Sequence, residues 1–349
     1  MKTIARLTTA MVVLALVTAA SADEKEVTYA NSGGVVKDAN EKFFIAPFEK
    51  ETGIKVKYVT TDDRLSSLEA MQKIGKVLWD LDDLSGPDFP LAVKRGLLEK
   101  LDYNVIDPDN KLPADAKQEY GVIYATYSDV LLQRLDKNPS GKKMTSWADF
   151  WDMNDFPGPR SLHKSAQGNL EFALLADGVE PSKLYEVLGT KEGLDRAFGK
   201  LDQIKPYIHV WWESAAQSVQ LLADGEVFYS TSYNGRVQKL NQSGVPVEIV
   251  WNGGALHFSM LSIPKGAPNI SDALAYIKFR TQRVDLNKDY LKILPYPGYT
   301  PGLFDGMAPE LVKTMPTYPE HEALQFKSND EWWSLHQELE ERFARWLLQ

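Results

Sequence analysis

The 349-residue chain has no cysteine at all. It therefore has no disulfide, and no thiol near its start to carry a lipid. Metal-site and hydrolase signatures are equally scarce. The five histidines, at 163, 209, 257, 321 and 336, are scattered without metal-ligand spacing. The sequence holds no G-x-S-x-G elbow, no phosphate-binding P-loop and no H-E-x-x-H helix. The adjacent pair Asp82-Asp83 falls at the end of an expected strand, where alternation sends the two carboxylates to opposite faces. Cofactors are expected to be none and the metal set empty. Basic charge is also in deficit: the net charge is −9, which argues against nucleic acid as a partner. The apolar run Met11 to Val17 is too short to cross a bilayer.

That same run has another reading. Lys2 and Arg6 precede it, and Ala20-Ser21-Ala22 follows it as an A-x-A cleavage site. Residues 1–22 are thus expected to be a signal peptide, with cleavage near Ala22. The remaining chain, about 327 residues, is long enough to bury a core without disulfides. Its length suggests two domains.

The mature chain reads as alternating strands and helices. Val27 to Ala30 is a strand that runs into Asn31-Ser32-Gly33-Gly34, where glycine lets backbone come close to a neighbour. A helix spans about Lys37 to Glu51 and is closed by Gly53. Strands follow at 54–59 and 78–84, the second ending in Ser85-Gly86-Pro87. This rhythm predicts a mostly parallel sheet covered on both faces, with ligands at the carboxyl ends of the strands. The loops at 31–35 and 85–87 both sit at such ends.

After Gly121 to Tyr127, continued by Ser128 to Gln133, the rhythm restarts. Strands are expected at 160–163, 207–212, 226–231, 247–251 and 256–263, with a helix capped by Ser214, another beginning at Asn234 and one capped by Ser271. The tail carries a proline- and glycine-rich turn from Pro295 to Gly302 and one last helix from about Asn329.

Several segments in order carry a family likeness. They are Phe48 to Val56, Thr145-Ser146-Trp147-Ala148-Asp149-Phe150-Trp151, Leu222-Ala223-Asp224-Gly225-Glu226-Val227, Tyr233-Asn234-Gly235-Arg236 and Leu261 to Ala267. Together they resemble the spermidine/putrescine-binding branch of the extracellular solute-binding proteins, the receptors of ABC importers. The resemblance implies an α/β, two-lobe periplasmic-binding-protein fold (type II). Each lobe would be a mixed, mostly parallel sheet flanked by helices, with hinge crossovers between the lobes. Lobe one would comprise 23–127 plus 258–302, and lobe two 128–257 plus 303–349. It further implies a periplasmic monomer that binds a small solute, delivers it to an inner-membrane ABC permease complex and is not an enzyme. Ferric-binding proteins of this fold use adjacent tyrosines, whereas Tyr229 and Tyr233 are four apart.

Carried over residue by residue, the likeness changes the expected ligand. The first-loop acid of polyamine binders falls within Asn31 to Gly34, where Ser32 and Gly33 stand. Ser85 matches their serine. Their second-lobe acids fall in His163 to Gly168, which offers Ser165 but no carboxylate. Tyr233 takes the place of a tryptophan floor, Ser259 that of a crossover aspartate, and Tyr299 matches a tyrosine in the late turn. Arg236 adds a cation, which suits bidentate binding of a carboxylate, and the helix start at Asn234 adds a field that favours an anion. Trp212 and Ser214 are further candidates for the cleft wall. The expected solute bears a carboxylate: an amino acid such as 4-aminobutyrate, an opine or an organic acid. A polyamine is the alternative, and an exported hydrolase is the alternative of another class.

Overall fold

The computed structural model describes residues 25–349 except Asp62, and of Gln238, Lys239 and Gln242 only the backbone. The expected signal peptide lies outside the described residues. Among the described residues ten strands occur: β1 (Glu26–Asn31), β2 (Lys55–Thr60), β3 (Leu81–Ser85), β4 (Lys117–Gln118), β5 (Gly121–Arg134), β6 (Arg160–His163), β7 (Ile208–Trp212), β8 (Tyr229–Tyr233), β9 (Val247–Ser262) and β10 (Phe326–Lys327). They lie in the order β2-β1-β3-β9-β5-β8-β6-β7, with β10 on β9 and β4 on β5.

The outer strands of each half run parallel, β1 with β2 and β3, and β6 with β7 and β8. Between them β5 and β9 run antiparallel for nearly their whole length and belong to both halves. Each half is therefore a largely parallel sheet flanked by helices, and the two long strands cross from one lobe to the other. The sequence pattern suggested two strands at 247–251 and 256–263. The chain instead makes one, with the register against β5 shifting at a bulge over residues 251–254, where Gly253 takes φ 75.

Alternation builds the cores. On β1, Val27 and Tyr29 join Phe44, Phe48, Leu261 and Tyr276 on one face, while Ala30 joins Leu68, Leu84 and Leu91 on the other. On β5, Leu131 packs with Trp147, Phe172 and Trp333, while Val130 and Leu132 pack with Trp212, Leu222 and Val237. Four apolar layers thus cover two sheet halves. Leu303 and Met315 pack in the layer with Phe48 and Tyr276, whereas Phe326, Trp333 and Phe343 pack in the layer with Trp147.

Local signals explain several boundaries. Gly53 ends its helix at φ 72, a conformation that an L side chain resists. Ser146 and Asp149 form a capping box. Ser214 Oγ accepts from Gln217 N–H at 3.3 Å, as the capping pattern predicts. Asn269 rather than Ser271 occupies the cap of the Ile270–Gln282 helix. The final helix is two helices, Asp330–Leu335 and Glu338–Leu347, interrupted at His336.

Candidate functional site

A cavity of about 560 Å³ opens between the lobes in front of the crossing strands. Lobe one supplies the loop after β1 (Asn31, Ser32, Gly33, Gly34) and the end of β3 (Asp83, Ser85). Both are carboxyl ends of strands, where backbone turns away from the sheet and leaves its polar groups free to meet a ligand. Lobe two supplies Ser214 at its helix start, and Tyr233 and Arg236 after β8. Tyr124, Tyr127 and Ser259 of the crossing strands form the floor, and Tyr290 and Tyr296 close one side.

Seven expected residues thus meet in one cavity: Ser32, Gly33, Ser85, Ser214, Tyr233, Arg236 and Ser259. Three do not. Trp212 is fully buried in the apolar layer behind β8; its indole N–H donates to Thr231 Oγ1 at 3.1 Å and its ring stacks on His163 at 4.1 Å. Trp211 is on the other face as alternation requires, but packs on Phe343 and Trp346, so neither tryptophan reaches the cavity. Tyr299 lies on the reverse side of the hinge, in a groove of about 720 Å³ with Phe89, Ile123, Phe258 and Met260. Residues 258 and 260 of β9 face backwards because 257 and 259 face forwards. Tyr296, three residues earlier in the same turn, reaches the cavity in place of Tyr299. Ser165 lines a separate chamber, described below, and its hydroxyl donates to Glu340 Oε1 at 2.7 Å. Lys164 is a surface residue, paired with Glu213 at 2.5 Å.

Tight backbone packing fixes the hinge base. Asn234 Oδ1 accepts from Ser128 N–H at 2.9 Å, and Asn234 Nδ2 donates to Pro295 carbonyl at 3.2 Å. One side chain thus ties the crossing strand, the Asn234–Gln242 helix and the late turn together. Thr126 N–H and its hydroxyl both donate to Pro297 carbonyl, at 2.7 and 2.8 Å. A Cβ on Gly235 would lie 2.5 Å from the Tyr296 ring, so only glycine lets that ring stand beside Arg236.

The electrostatics are mixed rather than purely cationic. Arg236 Nε is buried without a hydrogen-bond partner among the described residues. Its guanidinium stands close enough to the Tyr233 and Tyr296 phenols to favour their ionised forms, although burial dominates and pushes both phenols up. Across the cavity, burial raises the Asp83 carboxyl while nearby Arg64, Tyr124, Arg280 and Ser259 oppose that rise. Arg64 Nη1 also donates to Ser32 Oγ at 3.4 Å and to Thr61 carbonyl at 2.8 Å. The sequence reading missed Asp83 as a wall residue. Asp83 and Ser85 share one face of β3, and choosing Ser85 for the cavity entails Asp83.

Deeper in the hinge lies a chamber of about 70 Å³, lined by Gly86, Tyr127, Asp129, His163, Ser165, Gln167, Gly168, Tyr233 and His257. The 165–168 loop is held from behind by two carboxylates. Glu340 accepts from Ala166 N–H at 2.9 Å and Gln167 N–H at 3.1 Å. Glu171 accepts from Gly168 N–H at 2.9 Å, Tyr185 hydroxyl at 3.0 Å and Trp333 indole at 2.6 Å. Among the described residues no group of acidic or histidine side chains is arranged to hold a metal ion, and no helix is long and apolar enough to cross a membrane.

A polar, tyrosine-lined cavity between two lobes that share their central strands defines a receptor for a small molecule. Residues 44–321 match the family described as bacterial extracellular solute-binding protein, and the chain belongs to that family. It is 37% identical over 335 residues to the gamma-aminobutyric acid-binding protein of Pseudomonas aeruginosa, covering 95% of this chain and 94% of that one. It is 28% identical over 300 residues to the spermidine/putrescine-binding periplasmic protein of Escherichia coli K12, covering 82% and 81%. Among solved structures it resembles MotA from A. tumefaciens B6 in complex with glucopine, with a TM-score of 0.83, 30% identity and coverage of 92% and 99%. The fold is that of the type II periplasmic binding proteins, as the sequence resemblance implied.

Proposed function

We propose that the protein is the periplasmic receptor of an ABC importer and captures a small solute through a carboxylate held by Arg236. The observation that carries this reading is Arg236 in the interlobe cavity, hydrogen-bonded to Tyr296 but with its buried Nε lacking a partner among the described residues, at the first turn of the Asn234–Gln242 helix. A guanidinium presents paired donors that match a carboxylate, and the helix start favours negative charge there. Ser32, Ser85, Ser214 and Ser259 offer neutral hydroxyls around the remaining volume, and Tyr233 and Tyr296 supply flat walls.

Similarity to proteins described as binding gamma-aminobutyric acid and glucopine supports amino acids such as 4-aminobutyrate, and opines, as the solute class. A polyamine suits this cavity less well. Ser259 stands where polyamine binders place a crossover aspartate, and Arg236 would repel an ammonium group. The solute leaves chemically unchanged and passes to an inner-membrane permease; the receptor acts as a monomer and has no nucleic-acid partner. Residues 1–22 direct export and are removed. Lobe one comprises 23–127 with 258–302 and lobe two 128–257 with 303–349, Leu303 and Met315 reaching across to pack in the layer with Phe48 and Tyr276.

The test is titration calorimetry with 4-aminobutyrate, glucopine and putrescine. Arg236→Ala is expected to weaken binding of the carboxylate-bearing solute by about 10-fold or more, as loss of a charged hydrogen bond of about 2 kcal/mol implies. Unchanged affinity, or tight putrescine binding by the native protein, refutes the carboxylate grip.

A further inference from the structure

We propose that the groove behind the hinge is a second binding site, separate from the solute cavity, and takes a small organic cation: an ammonium group carried on an apolar body. This goes beyond the reading of Arg236 and does not depend on it.

The crossing strands have two faces, and the rear one is not sealed. Residues 257 and 259 of β9 face the solute side, so Phe258 and Met260 face backwards. With Ile123 of β5 they floor a groove of about 720 Å³. Small-molecule sites occupy about 300–1,000 Å³. Phe89 and Tyr120 form the lobe-one wall, and Tyr299 of the late turn stands beside them. Phe89, Tyr120, Phe258, Met260 and Tyr299 are only partly buried, although the same strands bury Val122, Leu131 and Leu261 completely. Four rings and a thioether left open to one space differ from apolar residues scattered singly over a surface. The packing around them is specific. A Cβ on Gly121 would lie 2.7 Å from the Phe89 ring and 3.2 Å from Met260 Cβ, so the bare start of β5 lets both side chains lie against it.

Charge selects the occupant. Asp115, Glu119, Asp330 and Glu331 line the groove against Lys94 and Lys327, and no arginine lines it. Glu119 is paired with Lys100 at 2.5 Å, whereas Asp115, Asp330 and Glu331 have no ion pair among the described residues. Both lysines are exposed, and Lys327 Nζ lies 3.9 Å from Glu322. Asp330 is the least exposed of the four acids. Its Oδ1 accepts from Ser328 hydroxyl at 3.1 Å and from Gln167 Nε2 at 3.4 Å. Aromatic faces attract a cation through their quadrupole, and this recognises substituted ammonium groups. A carboxylate beside the rings fixes where the cation sits. An anion would be repelled by the acids, and an uncharged molecule would leave them without a partner.

The occupant would touch both lobes. Phe89 and Tyr120 belong to lobe one, and Lys327, Asp330 and Glu331 to lobe two. It would do so on the side of β5 and β9 away from Arg236, where the Asp88–Lys94 and Asp330–Leu335 helices meet.

The test uses choline and the uncharged alcohol in which carbon replaces its nitrogen. Each is titrated at pH 8 into mature protein carrying carbon-13 methyl-labelled methionine. At that pH Asp330, which burial raises to about 7, is largely ionised. Met260 is the methionine that lines the groove, and Met260→Leu identifies its signal. Choline is expected to shift the Met260 methyl signal and to bind about 10-fold or more tighter than the alcohol, as one charged contact implies. Asp330→Asn keeps an acceptor for Ser328 and Gln167 and is expected to remove most of that preference. Phe258→Leu keeps an apolar floor without the ring and is expected to weaken choline by about 3-fold or more. Arg236→Ala is expected to leave the choline response intact. An unmoved Met260 signal, equal affinity for the two probes, or a choline response that Arg236→Ala abolishes overturns the groove as a cation site. None of these results bears on the carboxylate grip. The two-probe comparison on the native chain decides the question even if a variant does not fold.

Discussion

Arg236 was legible because it follows Tyr233 at a strand-to-helix junction, where the first turn of a helix must face the end of the sheet. Trp212 was not. Strand alternation says that Trp211 and Trp212 face opposite ways, but not which face is the solute's. The packing answers that both tryptophans of β7 pack into apolar layers, and the cavity begins one residue after Trp212, at Glu213. Trp212 is therefore expected to matter to stability first. Trp212→Ala removes a fully buried ring and is expected to lower unfolding free energy by about 3–5 kcal/mol in urea titration. Any loss of affinity should follow from the slackened support under Tyr233, whose ring lies 6.1 Å away.

The elements were easier to read than their joints. Caps and glycine stops placed most helices, since those signals are local. The single long β9 was obscured by Gly253-Gly254, which resembles a break and is instead a bulge within the strand, with Gly253 at φ 75 and close neighbours: a Cβ there would meet Trp147 at 2.6 Å. The joint between β8, the following helix and the late turn depends on Asn234 and Gly235, two residues that sequence alone marks only as a helix start. Gly235→Ala would drive a methyl into the Tyr296 ring. It is expected to destabilise the protein by about 1–3 kcal/mol, the usual range for overpacking, and to weaken solute binding as Tyr296 shifts. A denaturant curve alongside calorimetry on one preparation measures both effects.

Over the whole molecule, buried acids and buried imidazoles pull stability in opposite directions with pH. Burial raises Asp129 to about 8, and Glu171 and Asp330 to about 7, so the folded state binds protons that the unfolded chain has lost. Their contribution is full below about pH 4 and is lost as pH rises through 7 to 8. His163 and His257, lowered to about 4 by burial, contribute above about 6.5 and lose that contribution as pH falls through 4. Asp330→Asn is expected to flatten the fall in melting temperature between pH 5 and 8, which a thermal scan across that range tests. Asp330 accepts from Ser328 hydroxyl at 3.1 Å and Gln167 Nε2 at 3.4 Å, so the amide keeps an acceptor for both.

The cavity and its inner chamber are walled by tyrosines and histidines, and no tryptophan lines either. Nine tryptophans are present, and Trp332 and Trp333 belong to the Asp330–Leu335 helix, which meets the Asp88–Lys94 helix of the other lobe while both rings pack into the second lobe's layer. Indole emission is thus blind to direct solute contact and sensitive to lobe movement. Excitation at the indole band should report closure, tyrosine excitation should report occupancy, and the two signals should separate in time whenever capture precedes closing.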